Sequence, residues 1–535
     1  MKKITKFLLG ATLIAAAGMN TGCIKETFPT NAATDDVLAS SPKAAEALLW
    51  AMPAFLNNYQ TNSSNAYDWG YGSIMHIRDV MTEDMSVVTS GYDWYTSWAT
   101  NTYMGESYAY GQYIWNYYWK LVQTTNNVIG AIDPESASEA QLGYMGAAHA
   151  YRAMAYLDLA RMFEFLENDV TSRYNEAGND VLHLTVPIVT ESITEAEARE
   201  NPRATREEMA GFILDDLKQA EELIEFFTEK SRTQPHIYSI YGLYARLYMW
   251  LEQYENAATY ARKAIDSALK EDNIKPMTET ECLSKTAGFN DLSCWMWGSQ
   301  MMSEDDVVQS GILNWTSWMS NETSFGYASA GPYVMIGKST YDRISDTDFR
   351  KLMWKAPGGS TLDGQNPWID AKFAEDLPDY ASLKFRPASG EMDDYNVGAA
   401  SAYPLMRVEE MYLIEAEAVA HSNPAQGRQL LESFMALRDD SYTFMAADVV
   451  EEIVFQKRVE LWGEGQSFYD IKRLNYSVTR AYEDTNFDED RTFNTKGRPG
   501  WMNFCIVQTE KNNNRALVGF ENPDPSGLYT PIVSE

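Results

Sequence analysis

A mainly α-helical protein, built on tetratricopeptide-like helix pairs and broken by irregular aromatic-rich segments, is the fold class this sequence predicts. Three observations predict it. Apolar residues recur at helical spacing through several long windows, and one window carries the offsets of a tetratricopeptide repeat. Two other stretches lose the period yet keep their tryptophans.

The first helical window runs from Gly105 to Ile132, with Tyr110, Trp115, Tyr118, Leu121 and Val122 on one face. The second runs from about Ser138 to Glu164. A third starts at Thr205, with Pro202 as a boundary and Glu207 and Glu208 in the first turn, where the helix dipole favours anions. The repeat lies between Ile237 and Ala268. Tyr248, Tyr254, Ala257, Ala264 and Ile265 take its aromatic and small positions, and Ala245 its crossing point. Alanine there lets two helices approach closely while the rings fill the gaps between pairs. Further pairs are expected at Arg407–Arg438, followed by a helix from Val450 to Trp462. Gly, Pro, Ser and Asn break the period between Pro276 and Tyr403, a stretch containing Trp295, Trp297, Trp315, Trp318, Trp354 and Trp368. The second irregular stretch is Tyr67–Asn101. Long irregular insertions in a compact domain are usually functional.

The N-terminus has the layout of an export signal over residues 1–22: Lys2, Lys3 and Lys6, then an apolar run from Phe7 to Ala17, then small residues. That run is too short to span a membrane. Met19-Asn20-Thr21-Gly22-Cys23 resembles a lipobox, with Asn20 where Leu is usual, so Cys23 is expected to carry the lipid. The alternative is an ordinary signal with Cys23 as a free thiol. Several acyl chains on one cysteine would anchor firmly, at about 0.8 kcal/mol per buried methylene. The remaining cysteines, Cys282, Cys294 and Cys505, are odd in number; Cys282 and Cys294 could pair, or all could be isolated thiols.

A formal charge of −33 argues against nucleic acid or anionic lipid as partner, since both require a cationic surface. The 33 Tyr and 15 Trp outnumber 21 Phe, so the aromatic excess lies in rings with a polar edge, suited to interfaces as well as cores. Catalysis and metal binding find no footing. The five histidines are scattered without metal-ligand spacing, and no zinc-protease, nucleophile-elbow, phosphate-loop or calcium-loop pattern occurs. No cofactor is expected. Arg407, Arg458 and Arg473 read as structural ion-pair partners.

Taken in order, the landmarks resemble the SusD/RagB family of outer-membrane nutrient-binding lipoproteins of Bacteroidota. They are Trp115-Asn116-Tyr117-Tyr118-Trp119 leading to Asn126-Asn127, Tyr151 to Leu159, Val186-Pro187-Ile188 and Pro202-Arg203-Ala204-Thr205. In the C-terminal half they are Arg407 to Ala418, Arg458 to Gly465 and Phe468 to Arg473. The family's near-terminal Pro-Ile-Pro is replaced by Cys505-Ile506-Val507, and the tail to Glu535 has no counterpart in the pattern. The resemblance implies one SusD-like domain over 23–535, with an N-terminal part to about 230, the helical repeat at 237–270 and a C-terminal part from about 276. It implies four tetratricopeptide-like pairs carrying irregular, ligand-facing insertions. It also implies a cell-surface protein that is not an enzyme and hands glycan to a SusC-like TonB-dependent transporter; peptide capture, or docking of the transporter without a ligand, are the alternatives.

A pyranose offers C–H groups to flat rings and hydroxyls to amide, carboxylate and guanidinium groups at its edge. Rings on loops held by a rigid scaffold meet that demand at low entropic cost. Family members place stacking aromatics just upstream of the Trp115 helix, which points to Trp94, Tyr95 and Trp98, with Asn101 and Asp93 as hydroxyl partners. Trp315 and Trp318, beside Asn314 and Asn321, are candidates for the facing side. Trp295 and Trp297 alternate as a strand would, and Trp69 and Tyr71 complete the set. Core packing is the competing role for each ring.

Overall fold

The computed structural model describes residues 42–88, 94–286 and 288–533. Cys23 and the export signal, together with Asp93, lie outside these residues. The long helices are α1 (Pro42–Phe55), α2 (Gly70–Val80), α3 (Ala109–Gly130), α4 (Glu139–Phe163), α5 (Arg206–Leu223), α6 (Ile237–Trp250) and α7 (Tyr254–Asp272). After the irregular stretch come α8 (Val408–Ala420), α9 (Pro424–Met435), α10 (Val449–Glu460) and α11 (Ser467–Leu474). The expected windows are all helical, and their starts have local causes. Ser138 and Gln141 form a reciprocal capping box at α4, and Thr205 and Glu208 another at α5. The window from Gly105 begins late, at Ala109, because its first residues belong to a loop.

Helix packing follows from small residues. Ala257, Ala261, Ala264 and Ala268 are all fully buried along one stripe of α7, and Ala245 of α6 is as well. That stripe brings α7 against α6 on one side and α8 on the other. On α4, a Cβ on Gly143 would stand 2.8 Å from the Phe226 backbone, so the glycine sets how closely α4 meets the end of α5. Helix α4 is buried on nearly every side from Met145 to Phe163, as expected for a central helix.

The irregular stretch is stitched in at two places. Strand β1 (Met85–Val87) pairs antiparallel with β3 (Val334–Ile336), Met85 opposite Ile336. Strand β2 (Trp297–Gln300) pairs antiparallel with β4 (Ala402–Met406). The tail folds back on the N-terminal half: Met104 N–H donates to Ser526 Oγ at 2.8 Å, and Asn175 Nδ2 to the Gly519 carbonyl at 2.9 Å. Cys505, Ile506 and Val507 are buried. Cys282, Cys294 and Cys505 are free thiols, so the possible Cys282–Cys294 bond does not form.

Buried charge is handled by pairing. Glu460 meets Arg350, Arg407 and Arg438 at 2.9 to 3.1 Å. Arg458 pairs with Glu83 and Asp84, and Arg473 with Glu417 and Asp470, so all three expected structural arginines have that role. Asp158 accepts from the Tyr71 and Tyr118 hydroxyls at 2.7 and 3.0 Å and from Arg161 at 2.6 Å. Burial works to raise the carboxyls of Asp158, Glu417 and Glu460. The adjacent guanidinium and ammonium groups overcome it and hold all three below the ordinary range. A depressed folded pKa contributes stability that is complete above the unfolded value and lost as pH falls toward the folded one. Urea midpoints should therefore be level near neutrality and fall once the pH drops below about 4. Asp79, Asp68, Glu271, Glu322 and Glu510, which burial raises, work the other way, while Glu164, Glu191 and Glu521, held low by their partners, add to the loss. A midpoint unchanged at pH 3 would contradict the pairing.

Candidate functional site

The loop from Trp94 to Tyr108 leads into α3 and is shaped by two residues in the left-handed region, Asn101 at φ 55° and Tyr103 at φ 57°. Asparagine tolerates that region; for tyrosine it costs about 1–2 kcal/mol. Strain of this kind collects at functional sites. Between them, Thr102 N–H donates to the Ser97 carbonyl at 2.9 Å, closing the loop on the single turn Thr96–Ala99. The outcome is a ring held out of the protein: Tyr103 is 50% exposed and Tyr108 42%.

Behind these rings lies a rigid aromatic support. Tyr103 is parallel to Tyr110, with centroids 6.2 Å apart, and Tyr108 is tilted against Tyr103 at 5.0 Å. Tyr110 meets Trp98 edge-on at 4.9 Å and Tyr67 at 5.4 Å. Tyr67 is the hub, also touching Trp98 at 5.1 Å, Tyr113 at 5.0 Å and Trp94 at 6.1 Å. Burial first, and the neighbouring phenols next, push the Tyr67 hydroxyl up, so it stays neutral. Asn65 Nδ2 donates to Tyr113 Oη at 2.8 Å and fixes that phenol. Edge-to-face contacts of this kind each contribute about 0.5–1.5 kcal/mol beyond area burial.

Against this geometry the sequence candidates divide. Trp94 is half-buried and belongs to the cluster. Tyr95, Trp98 and Asn101 are buried, so they cannot offer a free face or edge here and instead stand behind the exposed rings. Neither amide atom of Asn101 has a hydrogen-bond partner among the described residues. Trp318 does come to this region from the distant stretch, 6.2 Å from Tyr95, but it too is buried. Trp315 packs on Phe385 and Tyr403 in the core, and Asn314 caps its helical turn through Ser317 N–H. Asn321 bonds the Val334 and Ser382 carbonyls within the fold.

Trp295 and Trp297, candidates for the ligand face, are not available to a ligand in this structure. Both are fully buried, because the strand beginning at Trp297 lies between the β4 edge and the Tyr151 ring. The same holds for Trp69 and Tyr71: the Trp69 indole donates to the Ser63 carbonyl at 3.1 Å, and Tyr71 to Asp158. Sequence reasoning missed Tyr103, Tyr108 and Tyr113 and placed Tyr110 in the core. The available signal was four tyrosines within 103–113, around Gly105 and the start of a helix. Among the described residues, no group of three or more His, Cys, Asp or Glu side chains is placed to hold a metal ion, and no helix is long and apolar enough to cross a membrane.

Comparison with known proteins agrees with this architecture. Residues 36–249 match the SusD-like family described as starch-binding and associating with the outer membrane, and residues 380–535 match the SusD family. No curated protein matches. A SusD-like carbohydrate binding protein from Bacteroides vulgatus superposes with a TM-score of 0.68 at 23% identity, over 92% of this chain and 98% of that one. A SusD superfamily protein from Bacteroides thetaiotaomicron gives 0.66 at 16% identity, over 90% and 99%. Identities this low establish the fold, and the two family matches, one in each half of the chain, establish the kinship. The chain is a member of the SusD/RagB family.

Proposed function

We propose that this protein is a glycan-capturing lipoprotein of the outer-membrane surface, held by lipid on Cys23, that delivers oligosaccharide or polysaccharide to a SusC-like TonB-dependent transporter. One observation carries the ligand class: Tyr103 and Tyr108 stand exposed on an aromatic support, centred on Tyr67, that also holds half-buried Trp94. Rings fixed in advance lose little entropy when a sugar face covers them, and their hydroxyl edges meet sugar hydroxyls. The family description, starch-binding and associating with the outer membrane, supports both ligand class and location, and the carbohydrate binding relative supports the first. The charge of −33 suits a solvated body that does not adhere to an acidic surface.

The test is affinity electrophoresis through gels containing neutral polysaccharides. Replacing Trp94, Tyr103 and Tyr108 together by alanine should remove retardation, weakening binding at least tenfold, about 1.4 kcal/mol. The thermal midpoint should fall little, since Tyr103 and Tyr108 are largely exposed and Trp94 is half-buried. Trp98→Ala is excluded from the set because it would open a cavity under Tyr67 and Tyr110. Retardation undiminished in the triple variant would remove the patch as the site.

A further inference from the structure

A second feature of α3 is not absorbed by the phenol patch. Gln112, Asn116, Trp119, Gln123 and Asn127 follow one another at helical spacing and line one side of a cleft of about 470 Å³. A solvent-facing stripe of a long helix ordinarily carries several charges; this one carries four neutral amides and an indole, with one charge, Lys120, among them. The segment Val189–Glu191 and the turn at Thr509–Asn513 form the other walls.

We propose that this cleft is a second binding site for a neutral polyhydroxylated chain, distinct from the Tyr103–Tyr108 patch; the ligand class rests on the function proposed above. The floor is two indoles, Trp115 and Trp119, with centroids 5.3 Å apart and planes inclined at 50°. Trp115 is buried, whereas Trp119 is partly exposed and can offer a flat face to C–H groups. The Trp119 Nε1–H is buried and meets no acceptor among the described residues. An amide both donates and accepts, as a hydroxyl does, so amide walls suit sugar hydroxyls better than they suit an ion. Gln112 and Asn116 already bond each other at 2.7 Å, but the side-chain amides of Gln123 and Asn127 bond no other described residue. The acids at the cleft do not make it a cation site. Glu191 is paired with Arg152 at 2.6 Å, and burial raises the Glu510 carboxyl. Lys120 is drawn to the Gln60 carbonyl at 3.0 Å.

The cleft and the patch share helix α3. Tyr110 and Tyr113 stand near the start of α3, and Trp119 lies about 14 Å beyond the first and about 9 Å beyond the second along its axis, at 1.5 Å per residue. The loop between them is tied to both ends, through Asn65 to Tyr113 and through Thr61 to Asn116. Tyr110 and Trp119 point to opposite sides of the helix, so patch and cleft are separate surfaces.

Fluorine NMR of protein labelled with 5-fluorotryptophan tests this, with the Trp119 and Trp94 resonances assigned by Trp119→Phe and Trp94→Phe. The probes are maltoheptaose, cellohexaose, mannohexaose, an inulin oligosaccharide and a pool of tripeptides. At least one of the sugars is expected to shift Trp119, and Gln123→Ala with Asn127→Ala should weaken that shift at least fivefold while leaving any Trp94 shift intact. A sugar that saturates Trp94 and leaves Trp119 unmoved overturns the cleft and spares the proposed function. A Trp119 shift with peptides alone overturns the ligand class of the cleft. If no sugar moves either resonance, the cleft and the glycan function fall together.

Discussion

Replacing Glu460 with alanine should lower the unfolding free energy by about 3–5 kcal/mol, the cost of breaking a buried charge network at one partner. Glu460 sits at the end of α10 and is only 4% exposed. Its Oε2 accepts from Arg438 at 2.9 Å and Arg350 at 3.1 Å, and its Oε1 from Arg407 at 3.1 Å. These three cations come from three segments: the irregular stretch, the residue before α8, and the residues after α9. One carboxylate therefore joins the insertion to the C-terminal helices. Without it Arg407 keeps Glu409 and Glu464, and Arg350 keeps Asp348, but Arg438 is left with one carboxylate among the described residues, Glu409 at 3.5 Å, and the Met277 and Leu437 carbonyls. Glu460→Gln, which preserves the shape and removes the charge, should lose less. Urea denaturation followed by circular dichroism measures both, and an alanine variant within about 0.5 kcal/mol of the parent would mean the arginines find other partners, the range of an ordinary surface change.

Gly70→Ala should cost about 3–4 kcal/mol, from a left-handed backbone and two weakened hydrogen bonds. Gly70 starts α2 at φ 73°, and a Cβ there would stand 2.1 Å from the Leu56 carbonyl oxygen. That oxygen is the acceptor for Tyr71 N–H at 2.8 Å and for the Tyr403 hydroxyl at 2.9 Å. Nothing there can give way, since the obstacle is backbone. Gly358→Ala is the control: an added Cβ would meet nothing within 4 Å, and no loss is expected. Equal melting of the two variants would show that the α1–α2 junction has slack.

Most of the helical frame was legible because its causes are local. A capping box needs four consecutive residues, as at Ser138–Gln141, and an alanine stripe such as Ala257–Ala268 states its own close packing. The aromatic residues were not legible, because burial depends on what arrives from elsewhere in the chain. Trp98 sits in a stretch without a period and so read as surface. A single helical turn points it at Tyr67 and Tyr110, and they bury it. Tyr110 matched the apolar spacing of α3 and so read as core, yet its place in the first turn leaves it under the exposed Tyr103. The pairing of β1 with β3 joins residues about 250 positions apart, a separation that spacing rules do not reach.

The folded-back tail bears on the order in which the protein can mature. Arg203 is a buried cation whose hydrogen bonds go to oxygens of Phe163, Leu184, Thr185, Phe520 and Asn522, and burial lowers it to about 9. Two of those five residues lie among the last sixteen of the chain. While a ribosome is still adding residues, the N-terminal half can gather its helices but must leave this guanidinium hydrated. Phe520 and Asn522 follow Arg203 by 317 and 319 positions, so this guanidinium is satisfied only once both have been made. Until then the N-terminal half keeps a hydrated cation where the finished fold has a dry one, so its closure waits on residues far along the chain.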